Sequence, residues 1–126
     1  MNLNQVIVES ADIGRSVAFY ERLGLELIVL TDDYARLVCP GGATFSVHLI
    51  DKPSPGGTLI YFECEDLDAR CARLADEGVV FDSGPADQRW LWREARLSDP
   101  DGNRLCLYWA GENRVDPPWR IKNEPI

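Results

Sequence analysis

Four side chains that could bind a ligand or take part in a reaction follow one another at a spacing of two residues. They are Trp90, Trp92, Glu94 and Arg96. On one β-strand, side chains with this spacing project from the same face. Trp92 offers a flat stacking surface, and Arg96 offers a planar fork of donors for a carboxylate or a phosphate. Glu94 either neutralises Arg96 or acts as a general acid or base. The competing interpretation is that the tryptophans are core residues beside an ordinary Glu94–Arg96 pair.

A second candidate is His48, the single histidine of the chain. Ser46 precedes it by two residues, so the two side chains share a face of the predicted strand. An imidazole with an ordinary pKa of about 6.5 suits a general base. A lone histidine is nevertheless more often a satisfied structural residue. We predict His48 and Glu94 as the catalytic residues if the protein is an enzyme.

Composition excludes several classes of function. The chain has 126 residues, the size of one domain, and a net charge of -8, which repels nucleic acids and anionic membranes. No signal peptide and no run of about 20 apolar residues is recognisable. The four cysteines lack the two-residue spacing of zinc or thioredoxin-type sites. We therefore expect reduced thiols and a cytoplasmic location.

The elements that must position these residues occur twice in the same order. A short strand, a helix and three more strands are predicted in each half by the alternation and by the spacing of apolar residues. Asp12 and Asp66 are the predicted helix caps, and Gly24 and Gly78 are the predicted helix stops. The predicted strands are residues 6–8, 25–30, 34–38 and 44–50, then 59–64, 79–81, 90–97 and 105–109. Because Asp12 and Asp66, Gly24 and Gly78, and Gln5 and Leu59 share one offset, we predict a duplicated βαβββ unit.

Three stretches of the sequence match known motifs. They are residues 12–20 (DIGRSVAFY) followed by Leu23-Gly24, residues 62–68 (FECEDLD), and residues 99–105 (DPDGNRL). With these stretches the chain resembles the vicinal oxygen chelate superfamily, which includes glyoxalase I, bleomycin-resistance and fosfomycin-resistance proteins, and extradiol dioxygenases. The resemblance implies an α+β fold of two tandem βαβββ modules that form an open curled sheet around a cavity. It also implies a homodimer. Module one spans residues 1–52 and module two residues 57–110 of a single domain 1–110, with a C-terminal tail at 111–126.

The resemblance also bears on metal binding. In members that use a metal, the ligands come from the first and last strands of each module, which corresponds to Gln5, His48, Leu59 and Cys106. Leu59 has no donor atom, and an amide with a thiolate is a poor set for magnesium, manganese or iron(II). We therefore predict no metal cofactor. A divalent metal held by Gln5, His48 and Cys106 stays the alternative.

The cavity implied by the resemblance would take side chains from both modules. The predicted substrate-binding residues are Gln5, Ser46, Tyr61, Trp92, Arg96, Cys106 and Tyr108. Their chemistry favours a ligand that is flat at one end and anionic at the other. If Glu94 compensates the charge of Arg96, the site would prefer a neutral ligand instead.

Three classes of function follow. The first is a glyoxalase- or bleomycin-resistance-like protein that binds or transforms a small organic molecule without a metal. The second is a metal-dependent lyase, isomerase or dioxygenase, so enzymatic activity is left open. The third is a dimerisation or scaffold domain. In the tail, Trp119 could pack on a partner subunit or, alternatively, cover its own core.

Overall fold

The computed structural model describes residues 3–121 and confirms the predicted α+β fold of two tandem four-stranded sheets, each with one helix. Residues 1, 2 and 122–126, which belong to the predicted first module and tail, lie outside the described residues. In chain order the elements are β1 (Gln5–Ser10), α1 (Ile13–Arg22), β2 (Glu26–Leu30), β3 (Tyr34–Val38), β4 (Thr44–Leu49), β5 (Leu59–Glu63), α2 (Leu67–Asp76), β6 (Phe81–Asp87), β7 (Arg93–Ser98) and β8 (Arg104–Trp109). No helix among residues 3–121 has the length and hydrophobicity to cross a membrane.

Both sheets have the same strand order, which supports the predicted duplication. The first sheet runs β1-β4-β3-β2 and the second β5-β8-β7-β6. In the first sheet β1 pairs with β4 in parallel, with Gln5 opposite Thr44 and Glu9 opposite His48. The strands β2, β3 and β4 pair antiparallel. Each module therefore contributes one helix and one four-stranded sheet.

The helix α1 begins and ends where the sequence predicts. Asp12 is extended (φ -152°), and its carboxylate accepts a hydrogen bond from the backbone N–H of Arg15 at 3.0 Å. Gly24 ends the helix with φ +100°, a conformation that glycine adopts without steric cost. The buried side of α1 includes Tyr20, whose ring lies 4.3 Å from that of Phe45 between centroids. This contact places α1 on the face of the first sheet that Phe45 occupies.

The helix α2 is capped differently from the prediction. Asp66 stands at the N-cap position, but its side chain makes no capping hydrogen bond. Its carboxylate lies instead 3.8 Å from the guanidinium of Arg70, one turn further along the helix. Gly78 follows the last turn with φ +95°, as predicted.

Two strand predictions in the second module are wrong. Residues 79–81 were expected to form a strand, but the N–H of Val79 bonds to the carbonyl of Leu74 and completes the end of α2. The strand β6 begins only at Phe81 and continues to Asp87. Residues 90–97 were expected to be one strand, whereas β7 begins at Arg93. The reason is a turn in which Leu91 has φ +68°, so the alternation cannot extend back to Trp90.

The described residues form two compact units. The first contains the residues up to Leu59 together with Ser98–Arg104, and the second contains Ile60–Leu97 together with the residues from Leu105 onward. The turn between β7 and β8 thus packs with the first unit. The predicted boundaries of the modules, of the single domain and of the tail stay predictions.

The segment Ser98–Arg104 is held in the first unit by hydrogen bonds to α1. The carboxylate of Asp99, only 5% exposed, accepts from the hydroxyl of Tyr20 at 2.7 Å and from the side-chain amide of Asn103 at 2.8 Å. Asp101 accepts from the guanidinium of Arg15 at 2.8 Å and from the hydroxyl of Ser16 at 3.1 Å. We call this set of contacts the aspartate clasp.

Candidate functional site

The second sheet carries an aromatic cluster on one face. The rings of Trp92 and Tyr108 stack with centroids 4.8 Å apart and planes inclined by 25°. Tyr61 meets both of these rings edge-on, at 5.8 Å from Trp92 and 5.4 Å from Tyr108. The indole N–H of Trp92 is fixed by a hydrogen bond to the carbonyl of Asn113 at 3.2 Å. Three of the predicted substrate-binding residues therefore form one ordered aromatic surface, which we call the aromatic face.

A buried carboxylate lies beside the aromatic face. Glu94 is 3% exposed, and its two oxygens accept from Trp90 at 2.7 Å and from Arg96 at 2.9 Å. The thiol of Cys106 also approaches one of them at 3.6 Å. The guanidinium of Arg96 lies 6.0 Å from the centre of the Tyr61 ring, within reach of a cation–π contact. Arg96 and Cys106 thus join the aromatic face through Glu94.

The electrostatics of this cluster follow from the buried carboxylate. Its hydrogen bond to Arg96 raises the pKa of the guanidinium. Burial, followed by the charge of Glu94, raises the pKa of the Cys106 thiol to about 12. Burial likewise raises the pKa of Tyr61 and of Tyr108. The thiol of Cys106 and the phenols of Tyr61 and Tyr108 therefore stay protonated at neutral pH, beside the contact of Arg96 with Glu94.

Trp90 and Trp92 reach this cluster by a route that the sequence did not predict. Both lie in the turn before β7 and not on the strand itself. The N–H of Gln88 bonds to the carbonyl of Trp92 at 2.8 Å and closes the turn. The turn brings the ring of Trp92 beside Tyr108 and the indole N–H of Trp90 onto Glu94. Strand alternation therefore explains only Glu94 and Arg96.

The first sheet carries a polar cluster on the face opposite α1. The hydroxyl of Ser46, fully buried, accepts from the side-chain amide of Gln5 at 3.0 Å and lies 2.6 Å from the hydroxyl of Tyr34. The Nε–H of Arg36 donates to the Tyr34 oxygen at 2.9 Å. Thr44 donates to the carbonyl oxygen of the Gln5 amide. Two predicted substrate-binding residues, Gln5 and Ser46, are thus connected by hydrogen bonds to Tyr34 and, through Tyr34, to Arg36.

Sequence reasoning missed Tyr34 and Arg36, although the signal was present. Both alternate with the buried apolar residues Ala35 and Leu37 in β3, so they mark a polar face on a strand that is otherwise apolar. The prediction selected His48 instead, because an imidazole is a common general base. His48 is exposed at the end of β4, opposite Tyr34 in the β3–β4 pairing. The predicted convergence of the first-sheet and second-sheet residues on one cavity stays a prediction.

Comparison with known proteins assigns the family. Residues 2–107 match the family model of the glyoxalase/bleomycin resistance protein/dioxygenase superfamily. The chain belongs to this superfamily. A relative of unassigned function, protein YraH of Bacillus subtilis, is 29% identical over 126 residues, which cover 86% of this chain and 98% of the relative.

Solved structures of the superfamily share the fold. A glyoxalase/bleomycin resistance protein/dioxygenase from Nocardioides has a TM-score of 0.75 and 21% identity, covering 97% of this chain and 90% of its own. A bleomycin-binding protein complexed with bleomycin has a TM-score of 0.70 and 24% identity, covering 86% of this chain and 98% of its own. At these identities the likeness concerns the fold alone.

The residues at the superfamily's metal-ligand positions do not fit a metal in this chain. Gln5 lies opposite Thr44, whereas His48 lies four residues further along β4, about 13 Å at the usual rise of a strand. Both ends of the Gln5 amide are already engaged, by Ser46 and by Thr44. A metal needs Cys106 as a thiolate, yet burial favours its thiol. Among residues 3–121 no group of three or more His, Cys, Asp or Glu side chains is placed to hold an ion.

The hydrogen bonds around Tyr34 lead to a prediction about alkaline titration. The pKa of Tyr34 is lowered, chiefly by the hydrogen bond from Ser46 and further by Arg36. Burial raises the pKa of the other three tyrosines, Tyr20, Tyr61 and Tyr108. As the pH is raised, Tyr34 should therefore be the first tyrosine to ionise. Ultraviolet difference spectra of the phenolate should show that Tyr34→Phe removes the earliest step, and loss of a later step instead would contradict the arrangement.

Proposed function

We propose that this protein binds a flat, uncharged organic molecule on the aromatic face, without a metal. The observation that carries the proposal is the 2.9 Å pair between Glu94 and Arg96 beside the stacked rings of Trp92 and Tyr108. The stack supplies dispersion and apolar contact for a ring system. The pair supplies a few directed polar groups, and this combination is typical of small-molecule sites.

Part of the aromatic face remains accessible to solvent and can contact a ligand. Tyr61 is 41% exposed, and Trp92 is half-buried, while Tyr108 is buried beneath them. The edge-on contacts of Tyr61 and the hydrogen bond from Trp92 to the carbonyl of Asn113 fix the rings of Tyr61 and Trp92 before any ligand arrives. Little side-chain entropy is therefore lost when a planar molecule stacks on them.

The charge of the ligand follows from the ion pair. Glu94 neutralises Arg96, so the cluster carries no net charge for an anionic ligand to compensate. A second carboxylate would be placed near the buried one, and like charges in a partly desolvated site repel. Arg96 is 38% exposed and keeps N–H groups that do not bond to Glu94. These can donate to a carbonyl or hydroxyl oxygen of a neutral ligand.

Binding is better supported than catalysis. Both oxygens of Glu94 are occupied by donors, which positions Arg96 and Trp90 but leaves the carboxylate poorly placed to take a proton from a substrate. One protein with a similar fold, the bleomycin-binding protein, was solved in complex with the organic molecule bleomycin. The rival function, a metal-dependent lyase, isomerase or dioxygenase, requires a donor set that residues 3–121 do not bring together.

A pair of probes that differ in charge tests the proposal. We expect 2-naphthamide to bind roughly tenfold more tightly than 2-naphthoate, because the carboxylate would add an uncompensated charge beside Glu94. Calorimetry gives the two affinities, and the indole N–H resonance of Trp92 reports the location. Trp92→Ala should abolish the binding of 2-naphthamide. Trp109→Ala removes a tryptophan from the opposite face of β8 and should leave the binding of 2-naphthamide unchanged. Equal affinities, or tighter binding of the carboxylate, would refute the proposed ligand class.

Metal independence is tested by elemental analysis of protein purified without a chelator. We expect well under one manganese, iron or zinc ion per chain, and unchanged binding of 2-naphthamide after dialysis against a chelator. One bound ion per chain that disappears in Gln5→Ala or His48→Ala protein would support the rival function.

A homodimer and a cytoplasmic location remain part of the proposal. All four cysteines are free thiols, which agrees with a reducing compartment. Trp119 is 57% exposed, which favours the interpretation in which it packs on a second subunit. Together with Ile121, 85% exposed, it gives the tail apolar surface for a second subunit.

A further inference from the structure

We propose that Tyr34 and Arg36 form a second binding site, specific for a small oxyanion such as a carboxylate, on the first sheet. Thr44, Gln5 and Ser46 fix the direction of the hydrogen bonds that reach Tyr34. The phenol proton of Tyr34 and the remaining N–H groups of Arg36 can therefore donate to a ligand. This proposal does not depend on the function proposed for the aromatic face.

The direction of the hydrogen bonds is set first at Gln5. Thr44 donates through its hydroxyl to the Oε1 atom of the Gln5 amide. The Nε2 atom of the amide is therefore the end that faces Ser46, at 3.0 Å. Since an amide nitrogen only donates, the oxygen of Ser46 must accept this bond.

The hydroxyl proton of Ser46 then has one destination among its recorded partners. Ser46 is fully buried, and a buried hydroxyl needs an acceptor for its proton. Gln5 Nε2 cannot accept, so the proton points to the hydroxyl oxygen of Tyr34, 2.6 Å away. Gln5 and Ser46 are therefore positioning residues that act through Tyr34.

Tyr34 is left with its own proton free to donate. Its oxygen accepts from Ser46 and from the Nε–H of Arg36, which fills both lone pairs. Within residues 3–121 no acceptor is recorded for the phenol proton. A phenol that accepts two hydrogen bonds is a stronger donor, because each one draws charge from the O–H bond. The phenol proton of Tyr34 is thus available for a hydrogen bond to a bound ligand.

Arg36 adds a positive charge beside that proton. Its Nε donates to Tyr34, and its guanidinium carbon lies 5.5 Å from the centre of the Tyr34 ring. Five ion pairs are recorded in the described part of the chain, and none includes Arg36. This distinguishes Arg36 from Arg96, whose charge Glu94 already neutralises. A phenol donor next to an uncompensated guanidinium selects an anionic oxygen over a neutral one.

Acetate and acetamide test this site, since they have the same shape and differ in charge. Neither is large enough to stack on the aromatic face, so the result is independent of the function proposed there. We expect acetate, and not acetamide, to shift the Nε–H resonance of Arg36 and the backbone amides of β3 in a saturable titration followed by nuclear magnetic resonance.

Three variants define the outcome. Tyr34→Phe keeps the ring and should weaken acetate binding roughly tenfold, the scale of a hydrogen bond to a charged group. Arg36→Gln should abolish it, and Arg36→Lys, which keeps the charge without the fork, should retain part of it. Arg22→Gln, a matched loss of one exposed arginine from α1, should bind acetate like the parent protein. Equal shifts with acetamide, or acetate binding that survives in both folded Tyr34→Phe and Arg36→Gln protein, would overturn the proposal.

Discussion

Replacing Asp99 with alanine should lower the free energy of unfolding by about 3 kcal/mol, the largest stability effect we expect from a single polar substitution here. Asp99 accepts from Tyr20, from the side chain of Asn103 and from the backbone N–H groups of Asp101 and Asn103. Its removal deletes the carboxylate to which the buried hydroxyl of Tyr20 donates. Thermal unfolding should show a midpoint about 10 °C lower, and denaturant unfolding should show the loss in the free energy of unfolding.

Two comparisons isolate the aspartate clasp as the cause. Asp51→Ala removes an exposed aspartate whose side chain makes no hydrogen bond or ion pair within residues 3–121, and should change the stability by less than about 0.5 kcal/mol. Asp99→Asn keeps an acceptor and should fall between the two. If Asp99→Ala protein is as stable as Asp51→Ala protein, the clasp does not hold the first unit together.

The clasp also has a pH signature. Burial first, and the charge of Asp99 second, raise the pKa of Tyr20 above the ordinary 10.0. The unfolded chain therefore loses this proton at a lower pH than the folded protein. The stabilisation is complete below about pH 10 and declines as the pH rises above it. Tyr20→Phe protein should lack that part of the alkaline destabilisation.

Replacing Glu94 with glutamine should reverse the ligand preference of the aromatic face. The variant keeps the shape of the side chain but leaves Arg96 without its counter-charge. The preference for 2-naphthamide over 2-naphthoate, roughly tenfold in the parent protein, should become a preference of similar size for the carboxylate, a swing of about a hundredfold in the affinity ratio. Calorimetry on both probes measures this ratio directly.

The affinity ratio separates a charge effect from damage to the fold. Glutamine cannot accept from all the donors around Glu94, so some loss of stability is expected, on the order of 1–3 kcal/mol. A general weakening would reduce both affinities and leave their ratio unchanged. Glu65→Gln, which removes one exposed carboxylate from the same half of the chain, should also leave the ratio unchanged. A folded Glu94→Gln variant that keeps the parent ratio would show that the ion pair does not set the ligand charge.

The fold was largely predictable from local signals. A capping aspartate and a stopping glycine bracket α1, and the alternation in β3 gives its exact bounds, because these features depend on residues close in sequence. The predictions failed where distant contacts decide. The turn at Leu91 and the start of β6 follow from packing and backbone bonds that no short window contains.

The candidate site divides in the same way. Glu94 and Arg96 were predictable as neighbours on one strand face. Trp92 stacks on Tyr108 from the turn before β7, which strand alternation did not predict. Tyr34 gains its importance from Ser46, twelve residues away, and from the orientation of Gln5, 41 residues away. A sequence shows which polar residues share a strand face, but it does not show how hydrogen-bond partners arrange their protons.

The aspartate clasp also affects the order in which the protein can fold during synthesis. Tyr20 and Asp99 are 79 positions apart, and both belong to the first unit. When the ribosome has released the first 59 residues, α1 and the first sheet still lack the segment Ser98–Arg104 that covers Ser16 and Tyr20. At about 5–20 residues per second, several seconds pass before that segment emerges. The hydrogen bonds from Ser16 and Tyr20 to this segment therefore form only after most of the chain has been translated, so the first unit is completed only when most of the second has been made.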